Sequence, residues 1–81
     1  MYKVIIPMYA LKELSKIDKE NQQLIFNKIK DLENGIFDND KPLMGKHKGK
    51  LRAGNYGIIY LRENNILLIT IIRVAHRREV Y

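Results

Sequence analysis

The stretch that decides the fold is Ile66-Leu67-Leu68-Ile69-Thr70-Ile71-Ile72, a nearly continuous apolar run close to the end of an 81-residue chain. Apolar side chains occupy both of its alternating faces, which is typical of a central strand that is covered on both sides. The residues before it, Glu63-Asn64-Asn65, predict a turn. Further upstream, a turn signal at Gly54-Asn55 separates two more predicted strands, which contain Leu51, Tyr56, Ile58 and Tyr60.

The first 35 residues predict one strand and two helices. Residues 2–6 are rich in aromatic and β-branched side chains and stop at Pro7, so they predict a short strand. An amphipathic helix follows, because apolar residues recur at intervals of three and four, at Ala10, Leu11, Leu14 and Ile17. Asp18 is placed to cap a second helix, and Gly35 to end it in the left-handed conformation. The apolar stripe of this second helix consists of Leu24 or Ile25, Ile29 and Leu32.

The order of these elements predicts an α+β fold. We expect an N-terminal strand, an antiparallel helical hairpin, and then a mainly antiparallel, twisted sheet of three to four strands. Turn-forming residues between Ile36 and Pro42 predict the connection from the helices to the sheet. The length predicts a single domain over residues 1–81. No run approaches the roughly 20 apolar residues that span a bilayer, and the chain has no Cys, so we expect a cytoplasmic protein.

The positive charge is confined to one half of the chain. Residues 1–41 carry seven Lys and seven Asp or Glu, whereas residues 42–81 carry eight Lys or Arg and two Glu, a net charge of +6. Such asymmetry favours a nucleic-acid partner, because phosphate contacts supply much of the affinity and steer association. A solvated basic face that only aids solubility is the alternative.

Within the basic half, Lys48, Lys50 and Arg52 alternate with other residues. On a strand they share one face, in a row about 13–14 Å long that matches two nucleotide steps of a single strand. If the last strand ends near Arg73, the C-terminal segment His76-Arg77-Arg78-Glu79-Val80-Tyr81 can lie beside that row. The alternative is a basic sheet edge that resists strand addition.

Metal and cofactor chemistry find little support in the residue pattern. His47 and His76 are 29 residues apart, and no His or Cys spacing typical of a zinc site occurs. Gly45-Lys46 lacks the earlier Gly and the following Ser or Thr of a phosphate-binding loop. We therefore expect neither a metal nor a cofactor.

Two strings carry a family resemblance: Lys-Leu-Arg-Ala-Gly-Asn-Tyr-Gly-Ile-Ile-Tyr at residues 50–60, and Arg-Val-Ala-His-Arg-Arg-Glu-Val-Tyr at residues 73–81. With the hydrophobic strand between them, they resemble the RelE branch of the RelE/ParE toxin superfamily. The segment around Pro7 and residues 10–14 is similar to the opening of that family, so the resemblance covers nearly the whole chain.

The resemblance implies a RelE-like fold and a toxin of a type II toxin-antitoxin system. Such a toxin is an mRNA interferase: it enters the ribosomal A site, binds and cleaves mRNA as an endoribonuclease (a hydrolase in broad terms), and so inhibits translation. The resemblance also implies a cognate antitoxin protein that holds the toxin inactive in a hetero-oligomer.

The same resemblance implies roles for individual residues. Lys48 and Lys50 match the basic pair near the nucleophile and the scissile phosphate, and Arg52 matches a phosphate contact. Arg77 matches the arginine on the leaving-group side, and Tyr81 the C-terminal tyrosine that stacks on the base. Further RNA contacts are expected from Lys46, Tyr56, His76 and Arg78.

One position departs from the family pattern. Tyr56 is followed in many active members by an Arg that contacts the scissile phosphate, and here the residue is Gly57. Loss of one preorganised cation typically costs about 100- to 1000-fold in rate. Gly57 therefore favours the alternative to a nuclease: a non-catalytic inhibitor of DNA gyrase like the ParE branch, or a decayed toxin that only binds its antitoxin. The C-terminal segment from His76 to Tyr81 favours the nuclease.

Overall fold

A computed structural model describes residues 1–37 and 40–80, with the backbone alone at Val80. Five strands form one sheet in the order β1-β5-β4-β3-β2, and two helices pack on one of its faces. The elements along the chain are β1 (Lys3–Ile5), α1 (Met8–Ser15), α2 (Lys19–Glu33), β2 (Lys41–Leu43), β3 (Lys46–Ala53), β4 (Tyr56–Glu63), β5 (Leu68–His76) and the short α3 (Arg77–Val80). The predicted α+β fold, with an N-terminal strand, helices and then three to four strands, is confirmed, and four strands follow the helices.

Helix α2 begins and ends at the residues that the sequence predicts. The Asp18 carboxylate accepts a hydrogen bond from the Asn21 backbone N–H at 3.2 Å and one from the Asn21 side chain at 2.8 Å. These bonds favour the ionised form and lower the pKa of Asp18. Gly35 follows the helix with a φ of +79°, the left-handed conformation that glycine adopts without steric cost.

The helices bury the predicted apolar stripes against the sheet. In α2 the stripe contains Ile25 rather than Leu24, whose side chain is exposed. In α1, Ala10 and Leu14 are buried, and Ile17 follows in the connection to α2. Among the helices of the described residues, none has the length and apolarity needed to cross a membrane.

Strand β5 lies inside the sheet, as the apolar run predicts, but its limits differ from the predicted ones. It pairs with β1 in parallel and with β4 in antiparallel. Its start is at Leu68 because Asn64–Ile66 forms a 3-10 turn and Leu67 is left-handed, with a φ of +50°. It continues past Arg73 to His76. Beyond the reach of β1, the Glu13 carboxylate accepts the Val74 backbone N–H at 3.0 Å, so this part of the strand edge is satisfied by a side chain of α1.

Part of the predicted turn-rich connection is a strand. Lys41–Leu43 forms β2 and pairs antiparallel with β3 at the edge of the sheet, where Pro42 lies opposite His47. The prediction of a turn up to Pro42 is therefore wrong at its C-terminal end, because an edge strand tolerates proline. Asp38 and Asn39, which also motivated that prediction, lie outside the described residues.

A buried tyrosine crosses a glycine in the neighbouring strand. Tyr60 of β4 is fully buried and pairs with Gly49 of β3. A Cβ atom added at Gly49 would lie 2.3 Å from the Tyr60 ring carbon Cζ, so only glycine leaves room for the ring. The Tyr60 hydroxyl then reaches the Asp40 carboxylate just before β2, at 3.1 Å.

The same carboxylate forms a shielded ion pair with Arg62 of β4. Arg62 donates from Nε and Nη2 to the two oxygens of Asp40, at 2.7 and 2.8 Å, and the two side chains are only 11% and 8% exposed. The Arg62 guanidinium also lies 4.2 Å from the centre of the Phe37 ring. The hydrogen bonds to Arg62 lower the pKa of Asp40 and raise the pKa of Arg62. This pair ties the segment before β2 to the sheet.

Candidate nucleic-acid-binding site

The face of the sheet opposite α1 and α2, here called the open face, carries a line of cations on β3. Side chains alternate along this strand: Gly49 and Ala53 are buried, and Leu51 packs against the core. The residues between them are exposed on the other side. This cationic row consists of Lys46, Lys48, Lys50 and Arg52.

The row is bordered by β4 on one side and by β2 on the other. The register places Lys48 opposite Leu61, Lys50 opposite Ile59, and Arg52 opposite Gly57, which in turn pairs with Ala75. At one end, Lys46 forms an ion pair with Glu63 at 3.7 Å, in which the lysine side chain remains about half exposed. Because an exposed pair at this distance contributes little, Lys46 retains most of its capacity to bind an anion.

Gly57 lies in the middle of regular strand pairing. It sits in β4 between Arg52 and Ala75, and it is buried. The glycines with positive φ in the described chain are Gly35, Gly45 and Gly54, so Gly57 has a backbone conformation that other residues adopt. Neither Gly57 nor its neighbour Ala75 contributes a cation, so the positive charge in this part of the open face comes from β3.

Arg77 lies beside Asn55 of the β3–β4 turn, which is three residues along the chain from Arg52. Its backbone N–H donates to the Asn55 carbonyl at 2.9 Å, which continues the β4–β5 pairing past the end of β5. Its Nε atom is buried and has no hydrogen-bond partner within the described residues. Buried donors are nearly always paired, so the Arg77 Nε–H group is suited to donate a hydrogen bond to an anionic partner. A cavity of about 290 Å³ adjoins it, lined by Asn55, His76, Arg77 and Arg78.

Tyr56 and His76 lie on the helix side, not on the open face. They are opposite each other on β4 and β5, and their rings meet edge to face with centroids 5.6 Å apart. Tyr56 packs against the core, and both rings line a second cavity of about 320 Å³ beside Glu13 and Lys16 of α1. The structure therefore does not bring the two rings together with the cationic row. The two rings pack against each other and beside the core. Their predicted contact with RNA stays a prediction.

The remaining predicted site residues fall at the C-terminus. Arg78 is exposed, and its backbone N–H donates to His76 Nδ1 at 3.3 Å. Tyr81, the predicted base-stacking residue, lies outside the described residues. Within those residues, no group of three or more His, Asp or Glu side chains is placed to hold a metal ion.

A three-residue ion-pair chain that the sequence did not indicate holds α3 in place. Arg73 of β5 pairs with Glu13 of α1 at 3.2 Å and with Glu79 of α3 at 3.4 Å. Since α3 begins at Arg77, these contacts orient the segment that carries Arg77 and Arg78. No local sequence pattern indicates the pair of Glu13 with Arg73, because these residues are 60 positions apart in the chain.

Comparison with known proteins identifies the class of protein that this fold and site define. The sequence profile of the ParE toxin of type II toxin-antitoxin systems, parDE, matches residues 4–81. The chain therefore belongs to this toxin family, and the predicted membership of the RelE/ParE superfamily is confirmed. No curated protein sequence matches the chain.

Solved structures with the same fold include RelE toxins from three organisms. The isolated E. coli RelE toxin is 26% identical, with a TM-score of 0.72, and the match covers 100% of this chain and 92% of that one. The toxin of the Mycobacterium tuberculosis RelBE2 complex is 25% identical, with a TM-score of 0.73 and coverage of 94% and 98%. The archaeal RelE-RelB complex from Pyrococcus horikoshii shares the fold at 20% identity, with a TM-score of 0.75 and coverage of 94% of both chains.

Proposed function

We propose that this toxin is a metal-independent endoribonuclease that cleaves mRNA in the ribosomal A site. The observation that carries the proposal is the cationic row on the open face, together with Arg77, whose backbone is bonded to the β3–β4 turn that follows Arg52 and whose buried Nε has no partner within the described residues. Likeness to RelE toxins at 25–26% identity over nearly the whole chain supports it.

Cleavage of RNA without a metal proceeds by attack of a ribose 2′-hydroxyl on the adjacent phosphate. The reaction needs a proton acceptor for the hydroxyl, positive charge at the phosphate, and stabilisation of the departing 5′-oxygen. Cations that are fixed on a strand before the substrate arrives supply the charge without reorganisation. The β3 strand offers such a fixed array, because its backbone pairs with strands on both sides.

In this scheme, Lys48 and Lys50 lie along the attacking side and Arg52 contacts the scissile phosphate. Arg77 faces the leaving oxygen, where its role is charge stabilisation, because a guanidinium with a pKa above about 12 is a poor proton donor. Tyr81 is proposed to stack on the base and orient the ribose. The unpaired Nε of Arg77 gains in the complex the partner that it lacks within the described residues.

A non-catalytic function is the second candidate, and two observations favour it. Gly57 leaves the centre of the open face without the usual arginine. The family profile that matches the chain is that of ParE, whose branch inhibits DNA gyrase. In that case the cationic row would bind a protein or nucleic acid without cleaving it.

A cognate antitoxin in the cytoplasm is part of the proposal. Two of the similar RelE toxins were solved in complexes with antitoxins. The described residues expose large apolar side chains on α1 and α2, and an acidic, amphipathic partner would complement them and the positive charge. Co-expression of the adjacent small gene is expected to relieve growth arrest and to raise the melting temperature of the toxin.

The experiment that tests the nuclease compares two targets in parallel. Purified toxin is added to a translating extract, and cleavage of ribosome-bound message is read by primer extension; the same preparations are assayed for inhibition of plasmid supercoiling by gyrase. We expect cleavage by the wild type, a strong loss in Lys48→Ala, and no change in Lys12→Ala on α1. Supercoiling inhibition without cleavage would replace the nuclease with the gyrase inhibitor.

A further inference from the structure

The turn between β2 and β3 places the apolar residue Met44 in the left-handed conformation, which Asn and Gly adopt more readily. It is a two-residue hairpin loop in which Met44 has a φ of +49° and Gly45 a φ of +84°. Such loops favour Asn or Gly at the first position, because side chains with a Cβ strain the left-handed region. The Met44 side chain is 97% exposed, so packing within the chain does not explain its presence.

Cations surround this exposed tip on one face of the hairpin. Lys41 pairs with Lys48, and Leu43 pairs with Lys46, so Lys41 and Leu43 lie on the open face with the cationic row. Leu43 is about half exposed there. The hairpin therefore presents an apolar tip, Leu43 and Met44, flanked by lysines on both strands.

The tip and Arg52 lie at opposite ends of the cationic row. Six residue steps separate Lys46 from Arg52, and a strand rises about 3.3 Å per residue, so these two residues are roughly 20 Å apart. Lys48 and Lys50 of the proposed cleavage site lie between them, so the tip adjoins that site at its Lys46 end. The tip thus adds a contact surface along the same line of charge.

We propose that the β2–β3 hairpin is a second RNA contact, in which Met44 and Leu43 lie against bases of a structured RNA while Lys41 and Lys46 hold the flanking phosphates. The proposal rests on the proposed RNA target and extends it to the ribosomal RNA around the site. Charge complementarity selects RNA as the occupant, since the tip emerges from the basic half of the chain. Exposed methionine and leucine side chains insert against base steps in other nucleic-acid complexes, where cations beside them bind the backbone.

A substitution at the tip separates RNA binding from folding. Met44→Asn removes the apolar side chain and supplies a residue that accepts positive φ, so it is expected to raise the melting temperature. The same change is expected to weaken binding to purified E. coli 70S ribosomes by about five- to tenfold, a typical loss for one apolar or stacking contact to a base. Met8→Asn, at an exposed methionine of α1 near the β1 edge of the sheet, is the matched control and should leave binding unchanged.

Binding is measured by co-sedimentation with Arg77→Ala present in every variant, so the readout does not depend on cleavage. A weaker Met44→Asn complex with a higher melting temperature supports the contact even if the wild type proves not to be a nuclease. Equal binding of Met44→Asn and its parent overturns the proposal, as does failure of the parent to bind ribosomes. If Met44→Asn instead weakens binding of the purified cognate antitoxin and spares ribosomes, the tip belongs to the protein partner and the RNA assignment is wrong.

Discussion

Two arginines in the basic half of the chain, Arg62 and Arg77, have opposite environments. Arg62 donates two hydrogen bonds to the shielded Asp40 carboxylate and lies over the Phe37 ring. Arg77 has a buried Nε without a hydrogen-bond partner within the described residues. One guanidinium is bound by the fold, and the other retains capacity for a ligand. A charged group that the fold has already neutralised contributes little to a binding surface.

This contrast divides the cations of the basic half by function. Arg62 and Arg73 are consumed by carboxylates that come from the N-terminal half, Asp40 and Glu13. In the cationic row on β3, Lys48 and Arg52 are exposed on the open face, and Lys46 stays about half exposed beside Glu63. Net charge therefore favours a nucleic-acid partner, while the strand register indicates which cations would contact it.

The largest expected effect comes from removal of Arg77. Arg77→Ala should lower cleavage of ribosome-bound mRNA by about 100- to 1000-fold, because a fixed charge at the leaving oxygen is lost. Stability should change little, since the described fold gives its Nε no partner to lose. Primer extension reports the first effect and urea unfolding the second. Lys28→Ala, at an exposed position of α2 on the helix side, is the matched control. Equal cleavage by wild type and Arg77→Ala would contradict the nuclease.

The reverse pattern is expected at Asp40. Asp40→Asn leaves the shielded Arg62 guanidinium without its counter-ion and should destabilise the fold by about 2–3 kcal/mol. Asp31→Asn on α2 should stay within about 0.5 kcal/mol. Urea unfolding measures both variants. Cleavage at a temperature where both are folded should be unchanged, and a loss of cleavage there would place Arg62 in the site.

The Asp40 pair also predicts a pH dependence. Hydrogen bonds from Arg62 hold the pKa of Asp40 below its ordinary value, so the pair contributes full stability above a pH of about 5. That contribution is lost as the pH falls through about 4 and on toward the lower folded-state pKa. Asp18 also has a lowered pKa, but it is present in both proteins. The difference in unfolding free energy between wild type and Asp40→Asn should therefore shrink on acidification, and a constant difference would argue against the ion pair.

Local chemistry allowed much of the fold to be predicted. The cap at Asp18, the left-handed residue at Gly35 and the shared face of Lys48, Lys50 and Arg52 each follow from a few neighbouring residues. The period of two along a strand is a property of the backbone, so the cationic row needed only the correct assignment of β3.

The features that could not be predicted depend on pairing between distant segments. The Asp40–Arg62 pair and the contact of Tyr60 with Gly49 require the order of strands in the sheet. The same is true of Tyr56 and His76: proximity in the chain to Arg52 and Arg77 favoured a shared site, whereas strand alternation turns both rings to the helix side. Strand β2 was not predicted because proline is found in turns as well as in edge strands, so Pro42 does not distinguish the two.

A smaller effect is expected from restoration of the cation that Gly57 lacks. The β4 backbone at this position does not itself require glycine, because its φ is not positive. An arginine there would lie on the open face between Arg52 and Ala75. Gly57→Arg should therefore raise the cleavage rate about tenfold. This gain is smaller than the full effect of one preorganised donor, because no neighbouring side chains hold the new arginine in place. Gly57→Ala controls for volume at this buried position. If both variants lose activity equally with circular dichroism unchanged, the space above Gly57 is itself required.

The smallest expected effect is on the salt dependence of RNA binding, which compares a cation of the open face with a cation on the helix side. Binding to RNA releases counter-ions, so the logarithm of affinity falls linearly with the logarithm of salt concentration, and each phosphate contact contributes about 0.7–0.9 to the slope. Arg52→Gln should reduce the slope by about that amount, because Arg52 is exposed on the open face. Lys28→Gln, at an exposed position of α2, lowers the net charge by the same amount and should leave the slope unaltered. Filter binding of a short single-stranded RNA from 50 to 300 mM salt, with Arg77→Ala in the background to prevent cleavage, measures both slopes. Equal reduction by the two variants would mean that RNA responds to the net charge of the molecule, and the open face would then have no privileged role over the helix side.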